Sequence, residues 1–335
     1  VSWYDEGQTE FTISTEEQLA GLAKLVNGGK TFQDKTVRLD ADLNLVERDW
    51  TPIGSGKGFR GTFDGQGRLL RIKSPLFGHI GAGVNKLGMV LNVNLSGDVS
   101  LVFNSNGQQT VGILAQEAYG TIRNCSFTGS VNIERAGKNP GVRFGGLVGY
   151  YSASRNGKEE LSDCRVRARM AVRGKDCQTR MGGLVSNVKW GTIRNCVFEG
   201  ELSADIPPSA PNGPTVLVLG GIVAESGVAI KDCRSRFSVS LGEARFFILR
   251  MGGIAASNQK NIENCLAEWT VSEDCQVDDE SPIGGIVGRA GEVLGSATIL
   301  NCVFDGRLAV GSSPQIALGG IYGDYSAGTY NCFAR

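Results

Sequence analysis

Seven cysteines of this chain each follow Asn or Asp, and they recur at a nearly fixed interval. They are Cys125, Cys164, Cys196, Cys233, Cys265, Cys302 and Cys332, with gaps of 39, 32, 37, 32, 37 and 30 residues. Val93, behind Asn92, holds the same place 32 residues before Cys125. A period in this range belongs to a solenoid, a propeller or an array, because a single repeat cannot bury its apolar face alone. A second signal keeps step with the first: FGGLVG, MGGLVS, LGGIVA, MGGIAA, IGGIVG and LGGIYG begin their glycine pairs at Gly145, Gly182, Gly220, Gly252, Gly284 and Gly319. Each repeat therefore holds a Gly-Gly-apolar strand and an Ile-x-Asn-Cys strand. The clearest copies of the latter are GTIRNCSFTG at 120–129 and GTIRNCVFEG at 191–200.

Aligned on the cysteine, every second residue is accounted for by packing. Two and four places on stand Phe127 with Gly129, Val166 with Ala168, Phe198 with Gly200, Ser235 with Phe237, Ala267 with Trp269, and Phe304 with Gly306. Large pairs with small in each row, as two positions sharing one crowded interior require. The sixth place is always apolar: Val131, Met170, Leu202, Val239, Val271 and Leu308. Period two with one face inward is a strand. On the other face Arg167, Glu199, Arg236, Glu268 and Asp305 follow one another at the third place, with Arg169 and Glu201 as neighbours at the fifth. Opposite charges at equivalent positions make sense if coils stack in parallel register, about 4.8 Å apart. Equivalent positions of a propeller lie in different blades and do not touch. The reading is an all-β chain, a parallel β-helix, wound right-handed by the crossover rule.

Asn or Asp before the cysteine suits a corner that needs unusual backbone angles, and stacked Asn side chains can bond along the axis. Cysteine after it suits a small apolar position; free Cys is among the most buried residue types, and Val93 fills the place without a thiol. The row is therefore expected to be a buried stack without disulfides. Cys177 and Cys275 stand outside it and read as loop packing ahead of reactive thiols.

Residues 1–80 read as an N-terminal cap with the first coils, and 81–335 as the repeats of one continuous solenoid. STEEQLAGLAKLVNGG is a helix capped by Ser14 or Thr15, with Glu17 or Gln18 three places later, and ended by Gly28. Leu19, Leu22, Ala23 and Val26 form its apolar face. Such a helix covers the open end of a solenoid. No equivalent follows Cys332, so the natural polypeptide is expected to continue with further domains. Lys and Arg balance Asp and Glu at 34 each, so no broad attraction to nucleic acid is expected. No apolar run approaches the roughly 18 residues of a membrane span, so no membrane insertion is expected.

FGGLVG and its relatives resemble the GLUG repeat, named for its Gly-Leu-x-Gly core. WTPIG, FRGTFDGQG and LFG, after STEEQLAGLAKLVN, are similar to the N-terminal part of bacterial surface proteins that carry it. The resemblance runs from about residue 11 to the end. It implies a large secreted or cell-surface protein, adhesin-like or accompanying an M26-type immunoglobulin A peptidase. It implies no catalytic residues. A peptidase of that kind needs His-Glu-x-x-His, whereas the single histidine, His79, is followed by Ile80.

Other chemistry is thinly signalled. His79 in LFGHIG reads as a turn residue. GGKT at 28–31 lacks the leading glycine of a phosphate loop and follows a helix. Arg71, Ile72 and Lys73 match one motif of polygalacturonase-like enzymes, without the others in order. Asp278, Asp279 and Glu280, beside Asp274, read as a solvated acidic loop and secondarily as a loose calcium site; no other cofactor is indicated. Insertions are expected in the coils after Cys125, Cys196 and Cys265, where loops on a rigid scaffold commonly carry function. Tyr150 and Tyr151, beside Arg155, are the candidate ligand-binding residues, able to stack on a sugar or grip a peptide. The sequence favours a non-catalytic adhesin-type or stalk module binding a glycan or protein. A carbohydrate-active enzyme, with acids converging on one face, and a plain structural spacer are the alternatives. Trp269→Gly should lose several kcal/mol of stability in urea unfolding, since Ala267 cannot fill the space; a near-neutral result would show that the position does not face inward.

Overall fold

Each Asn or Asp ahead of a ladder cysteine adopts left-handed backbone angles, with φ between 51° and 56° from Asn92 to Asn331. Non-glycine residues rarely enter this region, and Asn and Asp do so most readily because their short polar side chains bond locally. The turn it makes leads the chain from one strand into the next. The computed structural model describes all residues except 1, 139, 209–214, 243–244, 292–296, 312 and 325–327, so part of the Pro-rich insertion from Ser203 lies outside the described residues. A coil is four strands. In the coil of Cys164 they are Gly141–Gly145 (β1), Val148–Ser152 (β2), Glu160–Ser162 (β3) and Arg165–Arg173 (β4).

Every strand pairs in parallel with its counterpart in the neighbouring coil. The β4 row is a ten-stranded sheet and the β1 row a seven-stranded one. The β2 and β3 rows join because Ala115–Arg123 runs through both positions. This is a parallel β-helix. Its register is the one the charges imply: Arg167, Glu199, Arg236, Glu268 and Asp305 form one column. Within it Arg167 meets Glu199 at 2.7 Å, and Glu268 takes Arg236 at 2.9 Å and Arg234 at 2.6 Å.

The corner amides form a second column. Asn124 donates to Asn92 at 2.7 Å, Asn195 to Asp163 at 2.7 Å, Asn264 to Asp232 at 3.0 Å and Asn301 to Asn264 at 3.1 Å. Behind it, the cysteine thiols donate to the carbonyl two residues earlier at 3.1 to 3.4 Å and form no disulfides. Burial pushes the thiols of Cys125, Cys196 and Cys265 well up. Burial, the largest influence, also opposes a thiolate at Cys164 and Cys233; bonds from the neighbouring thiols act the other way, but a thiolate at either would lie beside the carboxylate of Asp163 or Asp232, so the row is protonated. Cys177 and Cys275 are buried too, which is the loop-packing outcome.

Inside, the alternation of large and small is as read, and Trp269 is 1% exposed. Its ring stacks on Phe237 at 5.3 Å, and its indole N–H donates to the Gly285 carbonyl at 2.9 Å. Volume is not the whole reason for the small partners. Gly200 has φ 155°, and a Cβ on it would strike the Ala168 carbonyl of the preceding coil. The glycine pairs are explained by close approach as well. A Cβ on the second glycine of one coil would meet the carbonyl of its counterpart in the next, from Gly146 against Gly183 through Gly285 against Gly320. The β1-to-β2 turns therefore stack backbone on backbone.

The helix spans Glu16–Asn27 (α1). Thr15 and Gln18, rather than Ser14 and Glu17, make its capping box, with Gln18 N–H on Thr15 Oγ1 at 3.2 Å and Thr15 N–H on Gln18 Oε1 at 3.1 Å. Its buried face joins the core that continues from Phe11 to Phe304.

Two outcomes are expected. Gly183→Ala places a methyl against the Gly221 carbonyl and the Phe198 ring, and should lower stability by roughly 1–3 kcal/mol or more; an unchanged urea midpoint would refute the stacked-turn account. Arg236 and Arg234 hold the Glu268 carboxyl below its usual range. A depressed folded pKa adds stability above the unfolded value that is lost as pH falls through the folded one. The urea midpoints of wild type and Glu268→Gln should therefore converge between about pH 6 and about pH 3.

Candidate functional site

Tyr150 and Tyr151 lie in β2, not in a loop, so strand alternation sends them to opposite faces. Tyr150 points outward and is half-buried; Tyr151 is 0% exposed, and its phenol donates to the Gly120 carbonyl at 2.7 Å. Burial pushes that phenol far up. Tyr151 is thus a core residue, which corrects the expectation that both rings face a ligand. Arg155 is exposed in the loop after β2. It lines a pocket with Trp190 and Lys260, and both of these also line a larger groove that holds Tyr150. Trp190, 37% exposed, is the residue the sequence reading missed.

The acidic loop does not gather into a cation site. Asp278 pairs with Arg245 at 3.1 Å, Glu280 pairs with Arg289 at 3.2 Å, and Asp279 accepts the Glu280 N–H at 2.8 Å. Among the described residues no three of His, Cys, Asp and Glu converge as ligands. The calcium expectation at Asp274, Asp278, Asp279 and Glu280 has no such arrangement behind it.

The larger groove, about 720 Å³, runs along the β2 row and the turns that follow it, with Arg250 as the β1-row residue in its lining. The glycine pair turns the chain sharply between the two rows, so outward side chains of β1 and β2 face each other at that junction. A small separate apolar cluster of Val218, Ala224 and Ala256 lies at this junction. Along the β2 row the outward column reads His79, Glu117, Tyr150, Asn187, Glu225, Ser257, Arg289, Asp324. Along the β1 row it reads Thr110, Arg143, Arg180, Val218, Arg250.

Most acids of these columns are engaged. Glu225 accepts Arg180 Nε at 3.0 Å and the Asn187 amide at 2.8 Å, and Asp324 lies 3.3 Å from Arg289. Glu117 takes the Tyr119 phenol at 3.3 Å and lies 3.9 Å from His79 Nε2, while His79 Nδ1 is 3.0 Å from the Gly54 carbonyl. Burial first, and Glu117 second, push the Tyr119 phenol up to about 12. That phenol stays protonated at neutral pH and is unsuited to act as a base. Its ring lies 5.9 Å from that of Tyr150. Arg250 differs from Arg289 of the same groove in its ion pairs: Arg289 meets Glu280 and Asp324, whereas Arg250 meets no carboxylate within 4 Å among the described residues. Its Nε is buried without a hydrogen-bond partner, a feature shared with other arginines of the chain, Arg143 among them, and burial lowers its pKa without removing its charge. The arrangement can hold a ligand by stacking and by charge.

No family model matches the chain, and no curated protein matches it in sequence. Among solved structures it is similar to an "IgA1 Protease", with TM-score 0.52 and 16% identity over 89% of this chain. The chain spans 21% of that one. What the two share is the fold. A protein from Bacteroides ovatus described as a "putative immunoglobulin A1 protease" aligns over 97% of this chain and 84% of its own, with TM-score 0.46 and 15% identity.

Proposed function

We propose that this chain is a non-catalytic module of a secreted or cell-surface bacterial protein, adhesin-like in role, that holds a glycan or protein ligand in the groove along its β2 row and the turns after it. The observation that carries the reading is the groove itself: Tyr150 on the β2 row and Trp190 in the turn after it, beside an acid, Glu225, that is already paired. Aromatic rings on a preformed concave surface with a few placed polar groups are the usual make-up of a binding site. The GLUG-like repeats and the fold shared with an IgA1 protease support a surface or secreted setting. That match covers a fifth of a longer chain, which supports a module joined to further domains. Among the described residues no helix is long and apolar enough to cross a membrane.

A carbohydrate-active enzyme is the second reading, favoured by one observation, the cluster of His79, Glu117 and Tyr119. A structural spacer is the third, and it needs no groove ligand. One screen separates them: a glycan and protein binding panel run beside a polysaccharide-cleavage assay, each with calcium and with chelator. Binding without turnover is expected. Trp190→Ala should weaken it by about tenfold, the loss of roughly 1.4 kcal/mol of ring contact. Turnover would overturn the non-catalytic reading, and a bound ligand indifferent to Trp190→Ala would remove the groove from it.

A further inference from the structure

The charges in the groove are unevenly matched. Four cations line it, Lys189, Arg250, Lys260 and Arg289, against one acid, Glu225. Glu225 is already satisfied by Arg180 and Asn187, and Arg289 has Glu280 and Asp324. Among the described residues Arg250 has neither an ion pair nor a hydrogen-bonded acceptor, and its Nε is out of reach of water. The contrast is with the β4 face, where Arg167, Arg234 and Arg236 each find an acid in the next coil. A half-buried guanidinium keeps its charge and has a planar fork of N–H donors, which fits a carboxylate.

We propose that Arg250 is the anchor for the carboxylate of an acidic saccharide, with Trp190 and Tyr150 supplying the surface on which its rings lie. The proposal deepens the groove-binding reading and rests on it. A saccharide is favoured over an acidic peptide because the cation shares its groove with two aromatic side chains, which serve stacking on a sugar, and with Asn187, Ser257 and Gln259, which suit hydroxyl groups. Lys189 and Lys260 at the groove border add attraction for a polyanionic chain that extends beyond one residue.

The test measures binding of oligogalacturonate, oligoglucuronate and a sialyl-lactose, each beside its methyl ester, and of a glutamate peptide of equal charge. The full chain is compared with Arg250→Val and Arg250→Lys. Valine already stands at the equivalent position of the preceding coil, Val218, so the first variant should fold, as circular dichroism and an unchanged urea midpoint would show. At least one acid should bind tighter than its ester. Arg250→Val should remove that preference, weakening the acid by roughly 10- to 100-fold, and Arg250→Lys should restore part of it. Acid and ester bound alike, or a preference that survives Arg250→Val, overturns the anchor while leaving the groove as a binding surface. Binding of the glutamate peptide alone overturns the saccharide in favour of an acidic protein. If none of these probes binds while the wider panel yields a Trp190-dependent ligand, the anchor fails and the groove reading stands; if nothing binds at all, both fail together.

Discussion

Direct stacking of each coil on the next, about 4.8 Å apart, governs the rest of this molecule. In that register a side chain's neighbour along the axis is its own counterpart, so each column must be compatible with itself. Amides satisfy this because each can donate and accept. The order of the corner column follows: each Asn gives its N–H to the oxygen of the coil before it. A carboxylate has no N–H to give, so Asp64, Asp163 and Asp232 each head a run and accept from the Asn that follows. Thiols satisfy the rule by packing, glycine pairs by having no side chain in the way, and charges by alternating in sign, as from Arg167 to Glu268, or by turning to another partner, as Asp305 does to Arg335.

That rule is also why so much of the fold was legible in the sequence. Arg167, Glu199, Arg236 and Glu268 could be set in one column from spacing alone, because in-register neighbours must carry opposite charge, and the structure has them so. The inward pairs and the buried cysteines followed from the same period. What spacing could not give was the reason for particular glycines. Gly200 reads as the small partner of Phe198, yet it also sits against a carbonyl of the coil before it, a close approach that only coordinates reveal.

The site was less legible, for reasons that can be named. The long gap after Cys125 suggests a loop around Tyr150 and Tyr151, whereas Val148 to Ser152 is a strand; on a strand only one of two adjacent rings faces outward. Trp190 went unnoticed although a signal was present. The repeated decapeptide is preceded by an aromatic residue in both copies, Tyr119 before Gly120 and Trp190 before Gly191. Extending the alignment by one residue would have placed an aromatic just ahead of the β3 row in those two coils. The acidic loop misled because nearness in sequence is not convergence: Asp278 and Glu280 turn to different arginines.

Columns that must match themselves also make mismatches meaningful. On β4 the column from Arg167 to Glu268 alternates in sign, and Arg167 and Arg236 pair with the acids beside them. The junction of β1 and β2 does not cancel: Arg143 and Arg180 are adjacent in one column, and Arg250 follows across Val218. Leaving a partly buried guanidinium without an acceptor carries a desolvation penalty that the β4 face avoids with the same residue types. A chain that pairs its arginines by simple alternation on one face had the means to do so on the other. Departures from local consistency of this kind are expected where a structure serves a ligand rather than itself. A rigid row of equivalent positions at a constant rise suits a ligand that is itself extended, which is the physical sense in which a solenoid offers a sheet junction, and not only its loops, for recognition.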